Sequence, residues 1–179
     1  MDLKTLKESK YIVIRNYFDV NTDWESALSL VYKNEKEIGS TINKNLWLKF
    51  KDRKPFDHVP GLKDFCYKLN QDFNSVFIEN CGWNEDWHGS RCNCPGIWHI
   101  DTPLMSLGSF SMSKHQDRMP AAYIQMLGKS FWRVDSKDEL VLNPSDLLLL
   151  HKGTDHEVWG KGPRFAVLLA AVDEKIKLK

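Results

Sequence analysis

From about residue 75 onward the chain breaks into short runs of β-forming residues separated by turns, and this texture limits the possible folds more than any other feature. The runs are Ser75–Asn80, Gly96–Thr102, Met105–His115, Ala122–Leu127, Ser130–Asp135, Glu139–Leu142, Leu147–His151, His156–Trp159 and Arg164–Val172. Most connections are only about two to six residues, too short for the helical crossovers of a parallel sheet and right for antiparallel neighbours. About eight such strands with no helix between them satisfy their edges by rolling up. The expectation is a barrel or jelly-roll sandwich.

The N-terminal third reads differently. Tyr11-Ile12-Val13-Ile14 is a short strand. Thr22-Asp23-Trp24-Glu25 has the form of a capping box, in which the Thr22 hydroxyl and Glu25 carboxylate would satisfy free amides at a helix start. Trp24, Ala27, Leu28 and Val31 follow at helical spacing, and Gly39 would close that helix. A second helix is expected after Pro60-Gly61, burying Leu62, Phe65, Cys66 and Leu69. The whole is mainly β with flanking helices: a single domain over 1–179, in which a helical or mixed flank (1–74) precedes a β core (75–179).

At 179 residues a chain can bury a substantial core, and the 42% apolar content is that of an ordinary globular protein. A formal charge of +1, with no long Lys/Arg run, gives no global pull toward nucleic acid or anionic lipid. No apolar stretch approaches membrane-spanning length and the start lacks a signal core, so a cytoplasmic location is expected. Cys66 reads as a small buried hydrophobe. Cys81, Cys92 and Cys94, with His88 among them, match no common pattern of paired C-x2-C knuckles, so reduced thiols are favoured over zinc. Seven tryptophans imply large rings closing a thin core or lining a cavity.

The chemistry concentrates in His115-Gln116-Asp117 and in His156. On a strand, residues i and i+2 point to one face, so His115 and Asp117 can project together into the barrel. A histidine from a distant strand, His156, would complete two imidazoles and one carboxylate on one face of Fe(II), leaving the opposite positions open for oxygen and a co-substrate. A second H-x-D, His99-Ile100-Asp101, competes for the first two places. Its distance from His156 is comfortable, whereas the His115 pairing demands a short link between the middle strands.

The segment His115-Gln116-Asp117 through Tyr123, Gln125, Gly128, Ser130 and Trp132 resembles the JmjC/cupin-like Fe(II)- and 2-oxoglutarate-dependent oxygenases. Their H-x-D is followed by Gln at the offset that His115 and Gln125 keep, then by Gly and an aromatic-rich strand. Pro144-Ser145-Asp146 with its Leu run looks like the family's P-G-D turn and strand, after which His156 stands where the second metal histidine belongs. The resemblance covers roughly residues 96–172. It implies a double-stranded β-helix, Fe(II) on His115, Asp117 and His156, and oxidative decarboxylation of 2-oxoglutarate to succinate with O2. The family often places Lys or Arg where this chain has Ser130, so the resemblance moves the grip on the distal co-substrate carboxylate to Arg164, with hydroxyls of Tyr123 and Ser130. It also implies a hydroxylated or demethylated substrate, a protein side chain or a small molecule, and a monomer or simple homodimer. A metal cupin that uses no 2-oxoglutarate, and a non-catalytic binding module, remain as alternatives.

Several residues have plainer readings. His58 and His88 are loop histidines, and His151 ends a strand. Trp83, Trp87 and Trp98 line a substrate mouth or close a barrel end, and Trp132 is core or pocket wall. Asp146 caps its own turn. Gly128 and Gly153 serve turns.

Overall fold

The computed structural model describes residues 9–19, 21–29, 61–73, 98–106, 109 and 111–171, and for 99–103 the backbone alone. Two antiparallel sheets face each other. The larger has the order β1 (Tyr11–Ile14), β7 (Leu147–Leu150), β4 (Ala121–Leu127), β9 (Arg164–Ala171), β2 (Trp98–Ser106). The smaller has the order β3 (Ser111–Gln116), β8 (Asp155–Trp159), β5 (Ser130–Val134), β6 (Asp138–Leu142). From β2 to β5, and again from β6 to β9, the chain alternates between the sheets. Two strands thus wind together into a double-stranded β-helix, with β1 added to its larger sheet.

The burial pattern explains the apolar runs. Along β4, Ala122, Ile124 and Met126 join a cluster with the helices, while Ala121 and Tyr123 face the smaller sheet. Leu147 and Leu149 of β7 do the first, and Leu148 and Leu150 the second. A strand buried on both faces has no reason to alternate, so these read as unbroken apolar runs. In the smaller sheet only one face is buried, and β5 alternates accordingly.

Residues 24–29 (α1) and Leu62–Phe73 (α2) are helical. Leu62, Phe65, Cys66 and Leu69 are fully buried against the larger sheet, as their spacing implies. Asn70 fastens α2 to β2: its amide donates to Trp98 O at 3.2 Å and its oxygen accepts from Trp98 N at 2.8 Å. Trp98 is therefore core under the helix and not the wall of a mouth. The α1 cap also differs from the capping box. The helix starts at Trp24, and Asp23 Oδ1 accepts from Ser26 N at 2.7 Å, so the carboxylate one residue later does the work expected of Thr22.

Two further corrections concern β2 and β3. Residues 105–115 do not form one strand; β2 runs to Ser106 in the larger sheet and β3 begins at Ser111 in the smaller. The break carries the chain across the barrel and puts His115 in the same sheet as His156. The short link demanded by the His115 pairing is met by the β5–β6 turn. There Lys137 N donates to Val134 O across Asp135 and Ser136, both of positive φ (51° and 59°), in a three-residue connection between the paired Val134 and Asp138. Ser75–Asn80, Gly39, His58, His88, Cys81, Cys92, Cys94, Trp83 and Trp87 lie outside the described residues.

Candidate metal centre

His115 near the end of β3 and His156 near the start of β8 are direct cross-strand partners. Their rings lie 4.3 Å apart between centroids. Asp117 follows β3 immediately, and Gly153 N donates to its carbonyl at 2.9 Å, tying it to the β7–β8 loop. Gly153 reaches that position with φ of +75°, a conformation that favours glycine. One ligand atom from each of the three residues falls within 4.8 Å of the others.

Each imidazole is oriented from behind. His115 Nδ1 lies 2.8 Å from Ser113 O and His156 Nδ1 lies 2.9 Å from Thr154 O. A carbonyl only accepts, so both Nδ1 atoms carry the proton and both Nε2 lone pairs are left for another partner. His156 Nε2 and Asp117 Oδ2 stand 3.6 Å apart, and His115 Nε2 is 3.9 Å from Asp117 Oδ1. Buried His156 Nε2 and Asp117 Oδ2 have no hydrogen-bond partner among the described residues. Two orphaned ligand atoms aimed at one point are costly unless something sits between them.

Electrostatics point the same way. Burial pushes the Asp117 carboxyl up, against the opposing pull of His156 and His115. Burial pushes His156 down, against the opposing effects of Asp117 and the Thr154 carbonyl. Both shifts disfavour charge in the bare site, and a bound cation would reverse the first. The donor set, two neutral imidazole nitrogens and one carboxylate, suits a divalent transition ion, and the unpartnered atoms fit that reading.

The remaining site residues spread along the interior. Tyr123 is buried, edge-on to Trp132 at 4.5 Å and 6.5 Å from the His156 ring. Ser130 is buried and gives its only proton to Gln125 Oε1 at 2.7 Å, so in this arrangement it has none for a carboxylate. Arg164 opens β9 and is 7% exposed. Phe165, Val167 and Leu169 face the helices, so alternation turns Arg164 to the interior, where its guanidinium lies against Gly160. His99 and Asp101 belong to β2, at the edge of the sheet opposite β8, and their side chains are not described. His151 is half-buried after β7 and outside the cluster. Gln125, Ser113 and Thr154 also support the site, and little in their residue types announces it. The offset of Gln125 from His115 was the one available signal, because the two carbonyls act through backbone atoms that any residue supplies.

No protein-family model matches the chain, and no curated protein matches it. Among solved structures, a cupin superfamily protein from Desulfitobacterium hafniense is similar at 18% identity and TM-score 0.40, over 47% of this chain and 72% of that one. An RmlC-like cupin with a double-stranded β-helix fold from Methanocaldococcus jannaschii shares 12% identity at TM-score 0.37, over 42% and 71%. The Escherichia coli ribosomal oxygenase YcfD shares 22% identity at TM-score 0.34, over 42% of this chain and 25% of that one. Among the described residues no helix is long and apolar enough to cross a membrane.

Proposed function

We propose that this chain is an Fe(II)-dependent oxygenase that uses 2-oxoglutarate and O2 to hydroxylate, or by hydroxylation to demethylate, an organic substrate. The observation that carries the reading is the trio His115, Asp117 and His156, with its orphaned Nε2 and Oδ2 atoms and both Nδ1 protons committed to backbone carbonyls. Three protein ligands on one side leave the other side open, as a dioxygenase needs and a closed structural site does not provide. Iron so held supplies one-electron chemistry with O2, and 2-oxoglutarate supplies the further electrons by decarboxylation to succinate. The chain's own contribution is positional. Arg164, interior and pushed down by burial yet still cationic, would grip the distal carboxylate, and Tyr123 would wall the space beside His156.

A second reading has its own support. Trp132 lies between the His156 ring, 5.9 Å away, and Ser130, to which its Nε1 donates at 2.8 Å. That ring occupies interior space between the metal trio and Ser130, and so favours a metal cupin that takes a smaller ligand than 2-oxoglutarate. One experiment divides the readings. Anaerobic Fe(II) with 2-oxoglutarate should give a weak visible charge-transfer band, and admitting air should give iron-dependent succinate. Fully loaded iron with no band and no succinate would sink the first reading in favour of the second.

A further inference from the structure

One buried polar chain runs from β9 across β4 to β5 and ends beside His156. Gln125, 1% exposed on the inner face of β4, donates from Nε2 to Leu127 O at 2.7 Å and to Phe165 O at 3.2 Å. Both acceptors are carbonyls, so the amide is locked in one sense and presents Oε1 across the barrel. Ser130 Oγ donates to that oxygen at 2.7 Å and accepts from Trp132 Nε1 at 2.8 Å. The indole, 2% exposed, is thereby held at both ends: by its N–H on Ser130, and by its ring, which packs against both Tyr123 and His156. Its plane is inclined 33° to the His156 ring at 5.9 Å.

We propose that Gln125, Ser130 and Trp132 form a positioning relay that sets the orientation of the His156 ring for metal binding. The proposal rests on the metal reading of His115, Asp117 and His156. The bond from His156 Nδ1 to Thr154 O fixes the tautomer, but a single hydrogen bond leaves the ring free to tilt about that axis. A flat neighbour held by its own hydrogen bond removes that freedom. Each member has its donor committed to the next, so loss of any link frees the indole. Apolar residues would fill this interior at no cost in unsatisfied atoms; here a paired polar chain ends on an indole packed against a ligand imidazole, so it steers that ring by contact and not by a hydrogen bond to it.

Co(II) titration followed by its visible ligand-field bands, beside thermal unfolding of the metal-free protein, tests the relay. Trp132→Phe keeps a ring without the N–H, and Ser130→Ala removes the acceptor. Each should weaken Co(II) binding about tenfold and alter the band pattern. The double variant should lose little more than either single one, because both cut the same chain. Ser130→Thr, which keeps the hydroxyl, should restore most of the affinity. Unchanged Co(II) affinity and bands in both single variants, with only the metal-free melting point lowered, would overturn the relay and leave the metal site standing. Additive losses would overturn it as well. Absence of Co(II) binding in the unsubstituted protein would overturn the metal reading and the relay together.

Discussion

At the scale of single residues, the cluster of His115, Asp117 and His156 holds buried polar atoms without a hydrogen-bond partner among the described residues. Among the described residues Asp117 Oδ2 is buried without a partner, and burial pushes its carboxyl up. A carboxylate in that position costs stability whenever no cation faces it. Asp117→Asn should therefore abolish metal binding while raising the stability of the metal-free protein at neutral pH by about 1 kcal/mol. Denaturant unfolding in the presence of a chelator reads the stability, and calorimetric titration reads the binding; a variant less stable than its parent in chelator would contradict this account. Gly128 makes the opposite kind of case. Its φ is +68°, and a Cβ built there would stand 2.2 Å from Pro163 O, a backbone atom that cannot swing aside. Gly128→Ala should cost at least about 2 kcal/mol, read by denaturant unfolding, and a near-neutral result would mean the β4–β5 and β8–β9 turns do not approach so closely.

At the scale of elements, the β6–β7 turn is a junction organised by Asp146. Its carboxylate accepts from Asn143 N at 2.9 Å and Asn16 N at 3.1 Å and pairs with Arg15. The turn's backbone also bonds Gln125, with Asp146 O accepting from Gln125 N and Ser145 N donating to Gln125 O. Burial alone would raise the carboxyl, but the amide hydrogen bonds and the Arg15 guanidinium outweigh it and hold Asp146 below the usual carboxylate range. A depressed carboxylate contributes stability above its unfolded pKa, about 3.9, and loses it as pH falls through the lower folded value. Asp146→Ala should cost about 2–3 kcal/mol at pH 7, with the cost shrinking below about pH 4 as the parent loses the same interactions. Unfolding series at neutral and acid pH check this; a cost independent of pH would show that the charge is not what matters. The turn-capping role of Asp146 was readable because it is local, although the carboxylate reaches back to Asn143 N and not forward as in an Asx turn. Its ties to Asn16 and Arg15 were not, since they join positions about 130 residues apart.

The same division between local and distant explains how much of the whole molecule the chain discloses. Apolar runs at β4, β7 and β9 and the helical stripe of α2 are properties of a few neighbouring residues, and so was the pairing of His115 with Asp117 on one face. The split between β2 and β3 was hidden because residues on both sides favour strands, and only the sheet assignment shows that the chain must cross over. The Gln125–Ser130–Trp132 chain was hidden because it links two strands through the interior. Sheet membership also decides what metal would do to the molecule. His115 and His156 are neighbours in the smaller sheet, and among the described residues β3 is its edge strand, paired only with β8 and mostly exposed. An ion shared by the two histidines and Asp117 would staple that edge to β8 without touching β4 or β9. Saturating Mn(II), a redox-quiet stand-in, should therefore slow amide hydrogen exchange over 111–117 and at the start of β8 while leaving β4 and β9 unchanged. At a hundredfold excess over Kd the stabilisation available is about 2.7 kcal/mol, enough for up to about hundredfold slower exchange where opening breaks the site. Asp117→Asn should erase the effect. Protection spread evenly over both sheets would mean that the ion acts on global unfolding, and protection confined to β2 would hand the site to His99 and Asp101.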